Sequence, residues 1–278
     1  MPLSLTPLSD ALGVEATGID LARPVSDTDV DAMTAALHDK LVMVVRGQNL
    51  TPAAYLAAMR LFGDLMDQHL SNILMDAHPE IAVLDSRQST LGDDGKAIPI
   101  GSRDWHTDHT NHARPPKMTA MYAVQLPSVG GDTGFANMQA AFAGLAPVTQ
   151  AELRSMTTVN VIESHTDYVS DDLRDALTRE PQRHPLIRTH PNTGRQAIFV
   201  HPGKLQCIEG MAPAESLAFI NDLLARVLTP AVTYRHKWRP GDLVIWDNRG
   251  VLHVAHRDYD HREGRIMHRV ILQGGVPV

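Results

Sequence analysis

The chain has 278 residues, enough to bury a sizeable hydrophobic core in one large domain or two small ones. Its charged fraction of 21% is ordinary for a soluble globular protein, and a formal net charge of -7 argues against a general nucleic-acid binder. The single cysteine, Cys207, excludes an intramolecular disulfide and a thiolate metal cluster, and it is typical of a reducing compartment. No apolar run approaches membrane-spanning length, and the N-terminus lacks the pattern of a signal peptide. We therefore expect a cytoplasmic protein with no nucleic-acid or membrane partner.

Residues 1–65 predict an α+β region that flanks a functional site without forming it. GVEATGIDL predicts a short strand, and DTDVDAMTAALHDK predicts an amphipathic helix with Ser26 or Asp27 as its N-cap. LVMVVRGQ, rich in β-branched residues, predicts a buried strand. TPAAYLAAMRLFGD predicts a second helix, for which Thr51 is a suitable N-cap.

A loop-rich region follows the second helix and surrounds one clear strand, IAVLDS. A polar loop there contains His69, Ser71 and Asn72. The stretch STLGDDGKAIPIGS is punctuated by Gly, Asp and Pro, which predicts a mobile connection. Because it lies just before a candidate metal-binding segment, we expect it to serve as a lid.

That segment is RDWHTDHTN, which places His106 and Asp108 two residues apart. In an extended chain, residues i and i+2 project from the same face, so an imidazole and a carboxylate would enter one cavity. They are two of the three ligands that a 2-His-1-carboxylate iron site needs. The second histidine candidate is His253 in WDNRGVLH. On chemistry alone its rivals are His165, His190, His201, His256 and His268.

The rest of the chain predicts many strands with turns between them and no regular βαβ rhythm. AAFAGLAPVTQAELRSM and GMAPAESLAFINDLLARVL predict helices, and HPLIRTHPNTGRQAIFV predicts a hairpin. LVIWDNRGVLHVAH predicts a strand that passes into a loop, and GRIMHRVILQGG predicts a terminal strand. The pattern favours a mainly β fold with flanking helices, an antiparallel sandwich or jelly roll. We expect a single domain over residues 1–278.

The terminal strand carries two arginines on one face. Arg265, Met267 and Arg269 alternate with Ile266, His268 and Val270. Two buried guanidinium groups are costly unless anions lie opposite them, and their planar forks match carboxylate or sulfonate geometry. The alternative is that this strand face is solvated.

Taken together, these motifs resemble the TauD/TfdA family of Fe(II)- and 2-oxoglutarate-dependent dioxygenases. The resemblance rests on GVEATGIDL, LFGD, WHTD, LPSVGGDTGFANM, HPLIRTHPNTGR, GDLVIWDNRGVLH and RIMHR, in that order along nearly the whole chain. It implies a double-stranded β-helix (jelly roll). It also implies iron ligands at His106, Asp108 and His253, with Thr133 and Arg265 holding 2-oxoglutarate.

The metal and the reaction follow from this resemblance and from the ligand set. Two imidazoles and one carboxylate on one face leave positions open, which suits Fe(II) oxygenases, whereas zinc prefers a closed or nearly closed tetrahedron. The resemblance implies that O2 and 2-oxoglutarate are consumed, that succinate and CO2 are released, and that a substrate carbon is hydroxylated.

The resemblance also implies a small anionic organic substrate: an aryloxyalkanoate, a sulfonate or a sulfate ester. Arg269, His69 and Asn72 are the expected substrate contacts, and Lys204 could add a positive charge. Three alternatives stay open: a hydroxylase of an amino acid or natural-product intermediate, a non-catalytic metal-binding module, and a zinc hydrolase. We expect a homo-oligomer, either a dimer or a tetramer.

Overall fold

The computed structural model describes residues 2–68, 73–88, 104–162 and 180–278. Elements are numbered in chain order over this part of the chain. Its α-helices are α1 (Asp27–Lys40), α2 (Pro52–Arg60), α3 (Met138–Ala143), α4 (Pro147–Arg154) and α5 (Pro213–Val227). Single 3-10 turns occur at Ser86–Gln88, Pro202–Lys204 and His261–Glu263.

A large sheet forms the centre of the molecule. Its strands lie in the order β1 (Ser4–Pro7), β2 (Val14–Thr17), β3 (Val42–Val45), β15 (Leu243–Asp247), β7 (Met118–Gln125), β17 (Ile266–Leu272), β6 (His78–Asp85) and β5 (Leu74–Met75), and β4 (Leu65–Met66) also pairs with β17. We call this the major sheet. Its pairs are antiparallel except β2 with β3.

A smaller antiparallel sheet, the minor sheet, contains β14 (Thr233–His236), β8 (Thr133–Asn137) and β16 (Val251–Ala255) in that order. Two further groups of strands extend the β structure. They are β10 (Gln182–Pro185), β9 (Thr157–Asn160) and β13 (Leu205–Ile208), and the hairpin of β11 (Ile187–Thr189) with β12 (Gln196–Ile198).

The two sheets face each other across one hydrophobic cluster. Val44, Trp246 and Met267 of the major sheet pack there with Phe135 and Val251 of the minor sheet. Side chains alternate between the two faces of a strand, and the residues on the outer face of each sheet are also apolar, so this face needs a cover. Helices α1 and α2 pack on the outer face of the major sheet, and α5 packs on that of the minor sheet. This layered sandwich is the mainly β fold with flanking helices that the sequence predicts.

The helix starts agree with the sequence. Ser26 caps α1, where its side chain accepts a hydrogen bond from the Asp29 backbone N–H at 3.2 Å. Thr51 caps α2 in the same way, through the Ala54 N–H at 3.2 Å. Each such cap satisfies a backbone donor that the first helical turn leaves unpaired.

Two predicted elements were wrong. The helix expected over AAFAGLAPVTQAELRSM is two helices, α3 and α4, because Pro147 cannot continue a helix and starts a new one. The strand expected to run from β15 into a loop is two strands in different sheets. Asp247 accepts a hydrogen bond from the Arg249 backbone N–H at 3.0 Å, and this turn redirects the chain from β15 to β16.

Candidate active site

The turn between β15 and β16 brings the two predicted histidine ligands together. His106 forms an isolated antiparallel bridge with His253. The His106 N–H donates to the His253 carbonyl at 3.0 Å, and the His253 N–H donates to the His106 carbonyl at 2.8 Å. Residues directly opposite in an antiparallel pair project their side chains to the same face. The imidazole rings therefore lie side by side, with centroids 4.2 Å apart.

Asp108 completes the cluster. Its Oδ1 lies 3.8 Å from Nε2 of His106 and 3.8 Å from Nε2 of His253. The three candidate donor atoms all lie within 4.8 Å of one another, and all three residues are buried. Since each can offer one lone pair to a common centre, this cluster is able to hold a metal ion.

The environment keeps these groups in the protonation states that a metal requires. Burial lowers the pKa of His106, and it lowers that of His253 to about 3, so both imidazoles are neutral near pH 7. Burial alone would raise the pKa of Asp108, but His253, His106 and Arg269 outweigh it and bring the pKa to about 2. The cluster thus presents two neutral nitrogens and one carboxylate.

The structure assigns the main rival histidines to other positions. His190 is fully buried and pairs with Asp247 at 3.0 Å, where Arg249 also donates to the carboxylate. His201 is buried and packs against the His106 ring, with centroids 4.8 Å apart. His256 and His268 are half-buried and do not belong to the cluster. His165 lies outside the described residues.

Arg265 and Thr133 meet at Trp238. The Trp238 indole N–H donates to Thr133 Oγ1 at 3.0 Å, and the Arg265 guanidinium lies over the same ring, 5.9 Å from its centroid. Arg265 is 8% exposed, and its Nε donates to the Gly131 carbonyl at 2.9 Å. Its Nη2 is buried and has no hydrogen-bond partner among the described residues. A side chain at Gly131 would approach Arg265 to 3.1 Å, and the backbone there has φ +72, so glycine suits this position.

Arg269 is buried as well, and it approaches the cluster. Its Nη2 donates to Gln68 Oε1 at 3.0 Å, and its buried Nε finds no partner in the part of the chain that the structure describes. Burial lowers its pKa, while the charge of Asp108 acts in the opposite direction. The arginine face of β17 is therefore enclosed, and the alternative of a solvated face was wrong.

Three predicted features fall outside the described residues: His69, Asn72 and the lid segment of residues 89–102. Lys204 is described, and its Nζ donates to Asn111 Oδ1 at 2.6 Å.

Sequence reasoning missed a buried polar chain behind the cluster. Thr119 Oγ1 donates to Asp108 Oδ2 at 2.5 Å, and Asn248 Nδ2 donates to Thr119 Oγ1 at 2.8 Å. Asn248 belongs to the WDNRG motif, so the motif contained a signal, but Thr119 lies inside an ordinary strand sequence. It also missed Gln68, the partner of Arg269.

The family of this chain follows from its similarity to known proteins. A model of the family described as taurine catabolism dioxygenase TauD, TfdA family matches residues 4–271. The chain belongs to the TauD/TfdA family. The family confirms the predicted enzyme class, a dioxygenase that uses Fe(II), 2-oxoglutarate and O2. Within the described residues, no helix has the length and apolar character to cross a membrane.

Several relatives match over nearly their whole length. Pentalenolactone F synthase of Streptomyces arenae is 30% identical, with 97% of this chain and 95% of the relative covered. Alpha-ketoglutarate-dependent 2,4-dichlorophenoxyacetate dioxygenase of Cupriavidus pinatubonensis is 32% identical, with 93% of each covered. Alpha-ketoglutarate-dependent sulfate ester dioxygenase of Pseudomonas putida is 29% identical, with 100% and 92% covered.

A solved structure supports the same assignment. The crystal structure of AAD-2 in complex with Mn(II) and N-oxalylglycine is 27% identical to this chain and has a TM-score of 0.81. The match covers 100% of this chain and 98% of that one. Together with the family match, this confirms the predicted jelly-roll core.

Proposed function

We propose that His106, Asp108 and His253 hold Fe(II), and that the enzyme hydroxylates a small anionic organic substrate. The observation that carries the metal assignment is the approach of the three donor atoms to within 4.8 Å in a buried cluster. His106 adds a second argument. The Asp104 carbonyl lies 2.7 Å from Nδ1 and can only accept, so Nδ1 carries the proton and Nε2 keeps its lone pair.

Thr133 and Arg265 are proposed to hold 2-oxoglutarate. Nη2 of Arg265 is buried and unpaired within the described part of the chain, and such a guanidinium needs an anion or water opposite it. A carboxylate matches its geometry. Thr133 can add one more donor. Because the Trp238 N–H can only donate to Thr133 Oγ1, the hydroxyl hydrogen of Thr133 remains available to a second acceptor.

When bound, Fe(II) with 2-oxoglutarate and O2 supplies the oxidising chemistry, with succinate, CO2 and a hydroxylated substrate as products. The protein's own residues bind and orient the reactants. Burial of the cluster and of both arginines excludes bulk water from the surfaces that face the reaction. No side chain is assigned as a general acid or base, because the oxidising chemistry comes from the bound groups.

The substrate class rests on Arg269. Its buried Nε has no partner among the residues that the structure describes, and its charge acts on Asp108, so an anion bound at Arg269 would lie near the metal cluster. Two relatives support an anionic substrate, since by their names one acts on 2,4-dichlorophenoxyacetate and the other on sulfate esters. We therefore propose an aryloxyalkanoate, a sulfonate or a sulfate ester, with His69 and Asn72 as further substrate contacts.

A second candidate is supported by the pentalenolactone F synthase relative. In this alternative the enzyme oxidises a natural-product intermediate without cleaving the molecule into two pieces. Product analysis separates the two candidates. An aryloxyalkanoate or sulfate ester yields two fragments, whereas tailoring of a natural product retains the whole carbon skeleton.

One experiment tests the reaction class and the ligand assignment together. Anaerobic protein loaded with Fe(II) and 2-oxoglutarate should develop a weak visible charge-transfer band, and admission of air with a suitable acid should release succinate. Asp108→Ala should show neither signal. A wild-type protein that binds metal yet gives no band and no succinate would favour a binding module or a zinc hydrolase.

Three organisational expectations remain proposals. We propose a single domain over residues 1–278, a homo-oligomeric state of dimer or tetramer, and a cytoplasmic location. The single cysteine supports the last of these. Light scattering of the purified protein tests the oligomeric state.

A further inference from the structure

The carboxylate of Asp108 is held at one end of a buried hydrogen-bond chain. The Trp246 Nε1–H donates to Asn248 Oδ1 at 3.1 Å. Asn248 Nδ2 then donates to Thr119 Oγ1 at 2.8 Å, and Thr119 Oγ1 lies 2.5 Å from Asp108 Oδ2. Trp246 is 1% exposed, Asn248 1% and Thr119 0%, so water does not compete for these bonds.

The direction of this chain is fixed at its far end. An indole N–H can donate and cannot accept, so the Asn248 amide must present its oxygen to Trp246. Its NH2 group then faces Thr119 and donates to the hydroxyl oxygen. The single hydroxyl hydrogen of Thr119 is left to donate to Asp108, which means that Oδ2 of Asp108 acts as an acceptor.

The same chain contacts the cluster at two more places. The Trp246 ring packs against His253, with centroids 4.7 Å apart. The backbone carbonyl of Asn248 accepts a hydrogen bond at 2.8 Å from the hydroxyl of Thr107, the residue between the two ligands of the WHTD segment. Asn248 therefore restrains this segment through both its backbone and its side chain.

We propose that Trp246, Asn248 and Thr119 are positioning residues that select which oxygen of Asp108 binds the metal. With Oδ2 occupied by the Thr119 hydroxyl, Oδ1 is the oxygen that faces the two Nε2 atoms, 3.8 Å from each. The carboxylate is thereby set as a one-oxygen ligand before any metal arrives. This inference rests on the metal assignment proposed above.

Metal affinity of the ligand-free protein tests the inference without any turnover. The probe is Mn(II), titrated into metal-free protein while electron paramagnetic resonance measures the free ion. Thr119→Val keeps the shape of the side chain and removes the hydroxyl, and we expect it to weaken Mn(II) binding by ~10- to ~100-fold, as is typical for partners of metal ligands. Thr119→Ser restores a hydroxyl and should stay within about threefold of wild type.

A double-mutant cycle distinguishes a connected chain from loss of packing. Trp246→Phe retains a ring against His253 but frees the Asn248 amide to turn, so that Thr119 can donate to Asn248 instead of Asp108. We expect Trp246→Phe to weaken binding, and the Thr119→Val/Trp246→Phe pair to be no weaker than Thr119→Val alone. Circular dichroism and urea unfolding of each metal-free variant check the fold.

Two results overturn the inference. One is a Kd for Mn(II) in Thr119→Val that stays within about threefold of wild type, and the other is a double variant whose loss of Mn(II) affinity is the sum of the two single losses. If Thr119→Val does not fold, the test rests on Trp246→Phe. A Kd for Mn(II) in Trp246→Phe within about threefold of wild type then overturns the proposal. Asp108→Ala separates this failure from failure of the metal site. If Asp108→Ala loses Mn(II) while Thr119→Val keeps it, only the positioning role is wrong. If Asp108→Ala keeps Mn(II), both are wrong.

Discussion

Arg265 offers a sharp test of the cosubstrate site. This residue is 8% exposed, and its Nη2 has no partner within residues 2–68, 73–88, 104–162 and 180–278, so any carboxylate it meets is largely shielded from water. Arg265→Met removes the charge and retains much of the apolar stem. Truncation of one partner of a buried charge pair costs about 2–5 kcal/mol. Since Nε is already bonded to the Gly131 carbonyl, we take about 3 kcal/mol, or a ~150-fold rise in the Kd for 2-oxoglutarate.

Ligand-dependent stability provides the assay. At a 2-oxoglutarate concentration of about 100 times the wild-type Kd, binding should stabilise the wild-type protein by about 2.7 kcal/mol and the variant by about 0.3 kcal/mol. Urea unfolding of Fe(II)-loaded anaerobic protein, with and without 2-oxoglutarate, measures this difference. Without 2-oxoglutarate the variant should be at least as stable as wild type, because it no longer buries an uncompensated charge.

The matched control is Arg262→Met. Arg262 lies three residues earlier, is exposed and pairs with Asp260, so its loss should leave the 2-oxoglutarate response unchanged. Arg265→Met with a Kd within threefold of wild type would refute the assignment of Arg265. If Arg262→Met and Arg265→Met raised the Kd for 2-oxoglutarate equally, the net charge of the protein, rather than the enclosed guanidinium, would govern cosubstrate binding.

Three further predictions concern other buried groups. Arg269→Ala should raise the KM for an anionic substrate far more than that for 2-oxoglutarate, and an unchanged substrate KM in succinate assays would contradict the anionic-substrate proposal. Asp247→Asn should destabilise the fold by about 3–5 kcal/mol, because Arg249 would lose its buried carboxylate, whereas exposed Asp222→Asn should change urea unfolding little. Burial lowers the pKa of His184, so the unfolded chain binds more protons below pH ~6.5 and stability should fall as the pH drops from there toward the folded pKa. His184→Gln should reduce that loss between pH 7.5 and 5.5, and an unaltered pH dependence would contradict the reasoning.

The local sequence was sufficient for much of this fold. The spacing of apolar residues and the caps at Ser26 and Thr51 predict α1 and α2, because a helix start depends on nearby residues. Alternation in RIMHR places both arginines on one face for a similar reason, since the two-residue period of a strand is a local property. Motif order along the chain supplied the family, and with it the expected ligand set.

Other features depend on contacts between distant segments. The prediction of one helix over residues 140–156 was wrong. The apolar spacing continues across Pro147, but the proline interrupts the helical backbone. The second strand of the WDNRG turn was missed because its direction depends on which sheet can receive it.

The sequence by itself determined which residue types the site contains, through its motifs. It also determined which neighbours share a face, because that follows from backbone periodicity. Residue chemistry alone left six candidate histidines, and the family resemblance implied His253. Only the tertiary structure showed that His253 forms a strand bridge with His106, because strand register joins segments far apart in the chain. It also decided that Arg265 and Arg269 are enclosed, and that Thr119 bonds Asp108. Burial and the direction of a hydrogen bond both depend on what packs opposite a residue, which no local pattern records.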